Sequence, residues 1–138
     1  FFLIIKKKIV ISVDTYIEKK HFVDFKKPKL VIKKIFRSAL SDLVCKGVSP
    51  KYYFLSASGN KKNFNKNKIK QINKSLNLEQ KKFKIDLVGG DTTNSKTLSF
   101  TFVIVGYSSK IPITRNDVRK NDDISIPRNS AALLIFEF

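Results

Sequence analysis

The run Leu87-Val88-Gly89-Gly90-Asp91-Thr92-Thr93 places one of the chain's few acids directly after two glycines and before two hydroxyl side chains. Glycine lacks a Cβ, tolerates positive φ and lets a bulky anion approach backbone amides closely. A carboxylate in that position can hold a hard cation beside the anion. The same three residues also make an ordinary turn between strands, so the motif carries two readings: a phosphate loop with its metal ligand, or a turn. Which one applies depends on what the rest of the chain can build around it.

The 138 residues suit one domain with a single core. A hydrophobic content of 42% with twelve phenylalanines supports a packed interior despite the charge. Lys and Arg number 28 against 11 Asp and Glu, a net charge of +17, and a field of that sign attracts polyanions. The bases are nearly all lysine and are scattered with asparagine, as in Lys61-Lys62-Asn63-Phe64-Asn65-Lys66-Asn67-Lys68. Arginine, the fork that reads base edges, is scarce. The pattern fits a solvated lysine-biased surface better than a nucleic-acid-binding stripe. Cys45 is the only cysteine, which excludes an internal disulfide and a multi-cysteine metal site and fits a reducing cytoplasm. The apolar start, residues 1–5, is interrupted by Lys6-Lys7-Lys8 and is too short for a membrane span. It reads as a strand whose upstream neighbour has been cut away.

Residues 1–5 and 9–14, joined by the three lysines, predict a β-hairpin. After a polar connection closing at Pro28, residues 30–46 place Val31, Ile35, Ala39 and Leu43 on one stripe beside Ile32, Phe36, Leu40 and Val44, which predicts a core-facing helix. Gly47 and Pro50 follow where a helix stop belongs. Residues 52–58 predict a strand turning at Ser58-Gly59-Asn60, and residues 65–82 a surface helix with one buried edge drawn from Ile69, Ile72, Leu76 and Leu78. Residues 83–88 predict a short strand interrupted by Gly89-Gly90, and residues 98–107 a longer one. The order β-β-α-β-α-β-β predicts an α+β fold, a mixed β-sheet with helices packed on one face. The other face then needs cover from a partner subunit or a further domain.

Asp14 at a strand end, Asp42 on the first helix and Asp91 each have hydroxyl-bearing neighbours, among them Ser12, Ser41 and Thr92. Such oxygen sets suit Mg²⁺. No G-x-x-x-x-G-K-[ST] loop, G-x-G-x-x-G fingerprint or protein-kinase motif is present. Cys45 falls among apolar helix positions and reads as core, and His21 reads as a surface loop residue.

Four stretches in order, Ile11-Ser12-Val13-Asp14-Thr15 with His21-Phe22, Leu40-Ser41-Asp42-Leu43 before Lys46-Gly47-Val48-Ser49-Pro50, the Leu87 to Thr93 run, and Thr114-Arg115-Asn116-Asp117-Val118, resemble the thiamine-monophosphate kinases of the aminoimidazole-ribonucleotide synthase superfamily. The resemblance runs from about Ile9 to Ile126 and covers the family's N-terminal domain only. It implies ATP-dependent phosphorylation of thiamine monophosphate to thiamine diphosphate, with Mg²⁺ gathered by aspartates that converge in space. Ser12, Asp14, Asp42 and Asp91 would bind metal, Gly90, Asp91 and Arg115 would bind ATP, and His21 would face the thiamine substrate. A homodimer through the sheet is implied as well. Residues 1–126 would form the ATP/Mg-binding domain with a truncated start, and 127–138 a divergent tail. The C-terminal domain would be absent and the chain inactive alone.

Overall fold

The computed structural model describes residues 8–112. Branched apolar residues alternating with polar ones make β1, Lys8–Ile17, an extended strand. Helix α1, Pro28–Val44, starts on Pro28, whose fixed φ suits the first helical position and whose missing N–H would be unpaired there anyway. Gly47 follows in the left-handed region at φ 69° and turns the chain into β2, Ser49–Gly59. Asn65 caps helix α2, Lys66–Phe83, by accepting a 3.0 Å hydrogen bond from the Lys68 N–H. Lys84, left-handed at φ 52°, ends it by donating its N–H to the Gln80 carbonyl. The chain then forms β3, Asp86–Asn94, and β4, Ser99–Ser108.

The sheet order is β1-β4-β2-β3, with β4 antiparallel to both β1 and β2 and β2 parallel to β3. It is the mixed sheet of an α+β fold. Even-numbered residues of β1 and β4 face the helices, and α1 lies across them. Ile32, Ile35, Phe36, Ala39, Leu40 and Leu43 of α1 bury against Tyr53, Phe100, Phe102 and Ile104 of the sheet. Phe36 meets Tyr53 and Phe102 edge-on, with centroids 5.1 and 5.8 Å apart. Each such side chain contributes about 1.5–3 kcal/mol when fully buried. Helix α2 packs mainly on α1. Between the two, Arg37 and Glu79, only 4% and 5% exposed, form a forked ion pair at 2.7 and 3.2 Å. The Tyr53 hydroxyl is buried without a hydrogen-bond partner.

Among the described residues, no element covers the opposite face. Ile9, Ile11 and Val13 are 63%, 59% and 61% exposed, and Tyr52 and Phe54 lie on the same face. Moving along the strands, this apolar half gives way to a hydroxyl half, where Thr15 meets Thr101 at 2.9 Å and Ser58 meets Ser99 at 2.8 Å. No helix among the described residues is long and apolar enough to cross a membrane.

Three local expectations need correction. Gly89-Gly90 does not interrupt a strand: β3 runs through both glycines, and the residues assigned to its start, Phe83 and Lys84, belong to the end of α2 and its cap. The pairing with β2 skips Val88 at an irregularity just before the glycines, and Gly90 lets the Leu55 backbone approach closely. Cys45 is exposed, since α1 stops one residue earlier and its apolar stripe does not extend that far. Gly59 closes β2 instead of starting its turn. The predicted strand over residues 1–5 lies outside the described residues.

Candidate functional site

On β1, Ser12 and Asp14 alternate onto the helix side, where α1 crosses above them and brings Asp42 within reach. The Ser12 Oγ donates to Asp42 Oδ2 at 3.3 Å. Burial raises the Asp14 carboxyl above its ordinary 3.8, and the Asp42 charge raises it further. Asp14, Asp42 and the Ser12 hydroxyl bonded to Asp42 form an oxygen set that suits a hard divalent cation. Tyr16, two residues along the same face, is pushed up to about 12 by burial. A hydrogen bond with Ser38 opposes that rise, and the charges of Asp14 and Asp42 add to it. Tyr16 was not singled out from the sequence, although the period of two from Ser12 and Asp14 points to it.

His21 sits in the tight turn after β1, exposed, with its ring edge-on to Tyr16 at 5.8 Å. Tyr16 thereby forms a wall shared by the acid pair and the histidine. His21 also lines a cleft of about 520 Å³ together with Lys19, Lys20, Lys26, Lys27 and Lys34 among others.

Asp91 is elsewhere. The register runs Asp14–Phe102–Leu55–Gly90 across the four strands, three inter-strand steps, or roughly 14 Å at ~4.8 Å each. The convergence of Asp14, Asp42 and Asp91 expected from the sequence therefore does not occur within one chain. Strand order puts β1 and β3 at opposite edges, and among the described residues no three of His, Cys, Asp and Glu form a cation-holding group. Asp91 instead organises its own strand: Oδ1 accepts from the Thr92 N–H at 2.6 Å and Oδ2 from the Thr93 hydroxyl at 3.2 Å. Gly90 packs so tightly on β2 that a Cβ there would collide with the Leu55 carbonyl oxygen. Gly89, Gly90, Asp91 and Thr92 line a second cleft of about 520 Å³ under α2, whose walls include Leu55, Phe64 and Leu76. Arg115 lies outside the described residues.

A family model described as "AIR synthase related protein, N-terminal domain" matches residues 3–108. The thiamine-monophosphate kinase of Buchnera aphidicola subsp. Schizaphis graminum is 35% identical over 128 residues, which is 88% of this chain and 37% of that protein. Among solved structures, the thiamine monophosphate kinase of Aquifex aeolicus superposes with a TM-score of 0.70 at 21% identity, over 75% of this chain and 35% of that one. AaThiL complexed with AMPPCP and TMP gives the same score and identity over 75% of this chain and 33% of its own. The superpositions establish the fold, and the chain spans little more than a third of the relatives' length.

Proposed function

The chain belongs to the AIR synthase related family through that family's N-terminal domain, and from this premise we propose that it is the ATP- and magnesium-binding half of a cytoplasmic thiamine-monophosphate kinase. The relatives' names and the solved complex with AMPPCP, an ATP analogue, and TMP support the activity. The observation that carries the assignment is the acid pair Asp14 and Asp42, with Ser12 bonded to Asp42 and Tyr16 on the same strand face touching the His21 ring, on a fold of this family. Residues 1–126 form the binding domain of this reading and 127–138 a divergent tail. Turnover requires the remainder of the catalytic unit that the longer relatives carry.

Two phosphorylated reactants repel, and phosphoryl transfer asks a protein mainly for positioning and charge neutralisation. Magnesium, when bound, would supply that neutralisation. Ser12, Asp14 and Asp42 would hold it on the acceptor side, and Asp91 would serve the ATP phosphates at the other edge of the sheet. In this reading Gly90 would approach those phosphates, Arg115 would contact ATP, and His21 would face the acceptor. The acceptor oxygen already belongs to a phosphate, so the lack of an obvious general base among these residues is no obstacle. The bare face with Ile9, Ile11 and Val13 supports a homodimer through the sheet, because apolar rows of that extent are rarely left in water.

Isothermal titration of ATP with and without Mg²⁺ tests the assignment. Binding should require magnesium, disappear in Asp91→Ala and weaken in Asp42→Ala. ATP binding that ignores both the metal and the two substitutions would overturn it.

A further inference from the structure

The turn after β1 fixes which nitrogen of His21 carries the proton. The Ile17 N–H donates to His21 Nδ1 at 3.0 Å. The Ile17 carbonyl accepts from the His21 N–H at 2.9 Å and from the Lys20 N–H at 3.2 Å. One residue thus holds both the backbone and the ring of His21. The bond forms because β1 is an edge strand among the described residues. The next amide, Glu18, reaches across to the Leu98 carbonyl on the β4 side, whereas the Ile17 N–H faces the open edge, where His21 satisfies it. Lys19 at φ 65° and the Lys19 N–H to Phe22 carbonyl bond at 2.7 Å close the turn. Phe22 and Phe25 anchor it in the core.

A backbone amide can only donate, so Nδ1 must present its lone pair. The neutral ring then carries its proton on Nε2. A proton on Nδ1 would set two donors face to face, in a cleft already lined by Lys19, Lys20, Lys26, Lys27 and Lys34 with Asp24 as the only acid among its lining residues.

We infer that His21 is a positioning donor, locked by the Ile17 backbone to offer Nε2–H to a phosphate oxygen of a monoester acceptor. The lock removes two other roles. With its proton on Nε2, the ring is neither a metal ligand nor a base at that atom. The inference rests on the reading of His21 as an acceptor-binding residue, which it deepens by naming the atom, its polarity and the group it recognises. Ile17, invisible to motif matching because it acts through its backbone, becomes part of the substrate site.

The chain contains a single histidine, so long-range ¹H–¹⁵N correlation of the imidazole nitrogens reports His21 without assignment ambiguity. Nδ1 should show the shift of an unprotonated imine nitrogen and Nε2 that of a protonated one, before any ligand is added. The opposite tautomer overturns the inference, whatever the binding data show. Two variants then test the donor role by titration with thiamine monophosphate in Mg²⁺. His21→Gln carries an amide N–H out to the Nε2 position, whereas His21→Asn reaches only as far as Nδ1. Affinity should fall about tenfold in the Asn variant and by clearly less in the Gln variant. Equal binding by wild type and both variants overturns the donor role even if the tautomer is as stated. A wild-type chain that shows the expected tautomer but binds no thiamine monophosphate overturns the acceptor reading, and with it the ligand assigned to Nε2–H.

Discussion

Magnesium should raise the melting temperature of this chain, and Asp42→Asn should remove most of the rise. Asp14 is held above its ordinary range by burial first and by Asp42 second, so its charged form is disfavoured in the folded state and a cation bound there would relieve that cost. A cation that binds only the folded state stabilises it by RT ln(1 + [L]/Kd), about 2.7 kcal/mol at a hundredfold excess over Kd. Unfolding entropy of about 2.1 cal/mol/K per residue over a core of roughly 100 residues gives about 0.2 kcal/mol per degree. The expected rise is therefore roughly 13 °C. Differential scanning calorimetry should be run at constant ionic strength, with sodium chloride replacing the magnesium salt, because a chain of net charge +17 responds to salt alone. Kd comes from an independent titration, and the rise must then follow the logarithm without further adjustment. A melting temperature flat across the magnesium series, or an undiminished rise in Asp42→Asn, would refute the acid pair as a cation site.

Without metal, the raised Asp14 carboxyl gives stability a definite pH dependence. Its favourable contribution is full below the unfolded value near 3.8 and is lost as pH rises through the higher folded value. Asp14→Asn should remove that loss, so urea midpoints of variant and wild type should diverge from about pH 4 towards about pH 7, with the variant the more stable; convergence over that range would contradict it. Arg37→Leu should cost about 3–5 kcal/mol by stranding the buried Glu79 carboxylate, and the double variant Arg37→Leu/Glu79→Leu should cost less than the sum of the two single changes. Additivity within about 0.5 kcal/mol would show the pair to be uncoupled. Tyr53→Phe removes a buried hydroxyl that has no partner and should stabilise by about 1 kcal/mol, read as a higher urea midpoint at unchanged slope. Gly90→Ala forces a Cβ into the Leu55 carbonyl and should lower the urea midpoint far more than Gly89→Ala, whose Cβ meets only the movable Phe54 ring.

Local patterns in the sequence reach the helices well and the site only in part. The stripe from Val31 to Leu43 predicts α1 to within two residues at each end, because one apolar face and a glycine stop are both short-range signals. The break predicted at Gly89-Gly90 fails for an opposite reason: glycine reads as punctuation unless the parallel partner β2 is known, and that pairing is not local. Cys45 is misread because a helical stripe was extended past the helix end. At the site, Ser12 and Asp14 share a face by simple alternation, and that face could have yielded Tyr16. Asp42 joins them only through the crossing of α1 over β1, which no spacing encodes. The separation of Asp91 follows from strand order, and no local pattern reveals which strands lie at the edges of a sheet. The hydrogen bond from Ile17 to His21 belongs to the backbone and leaves no mark in residue types.

The uncovered rows of Ile9, Ile11 and Val13 also bear on handling. Mutual repulsion between strongly cationic protomers opposes the pairing of these aliphatic surfaces in dilute buffer. At 0.1 M salt that repulsion reaches only about 10 Å. Brine, which disperses many basic proteins, should then favour the proposed sheet-to-sheet pairing, so self-association of this domain should strengthen with ionic strength.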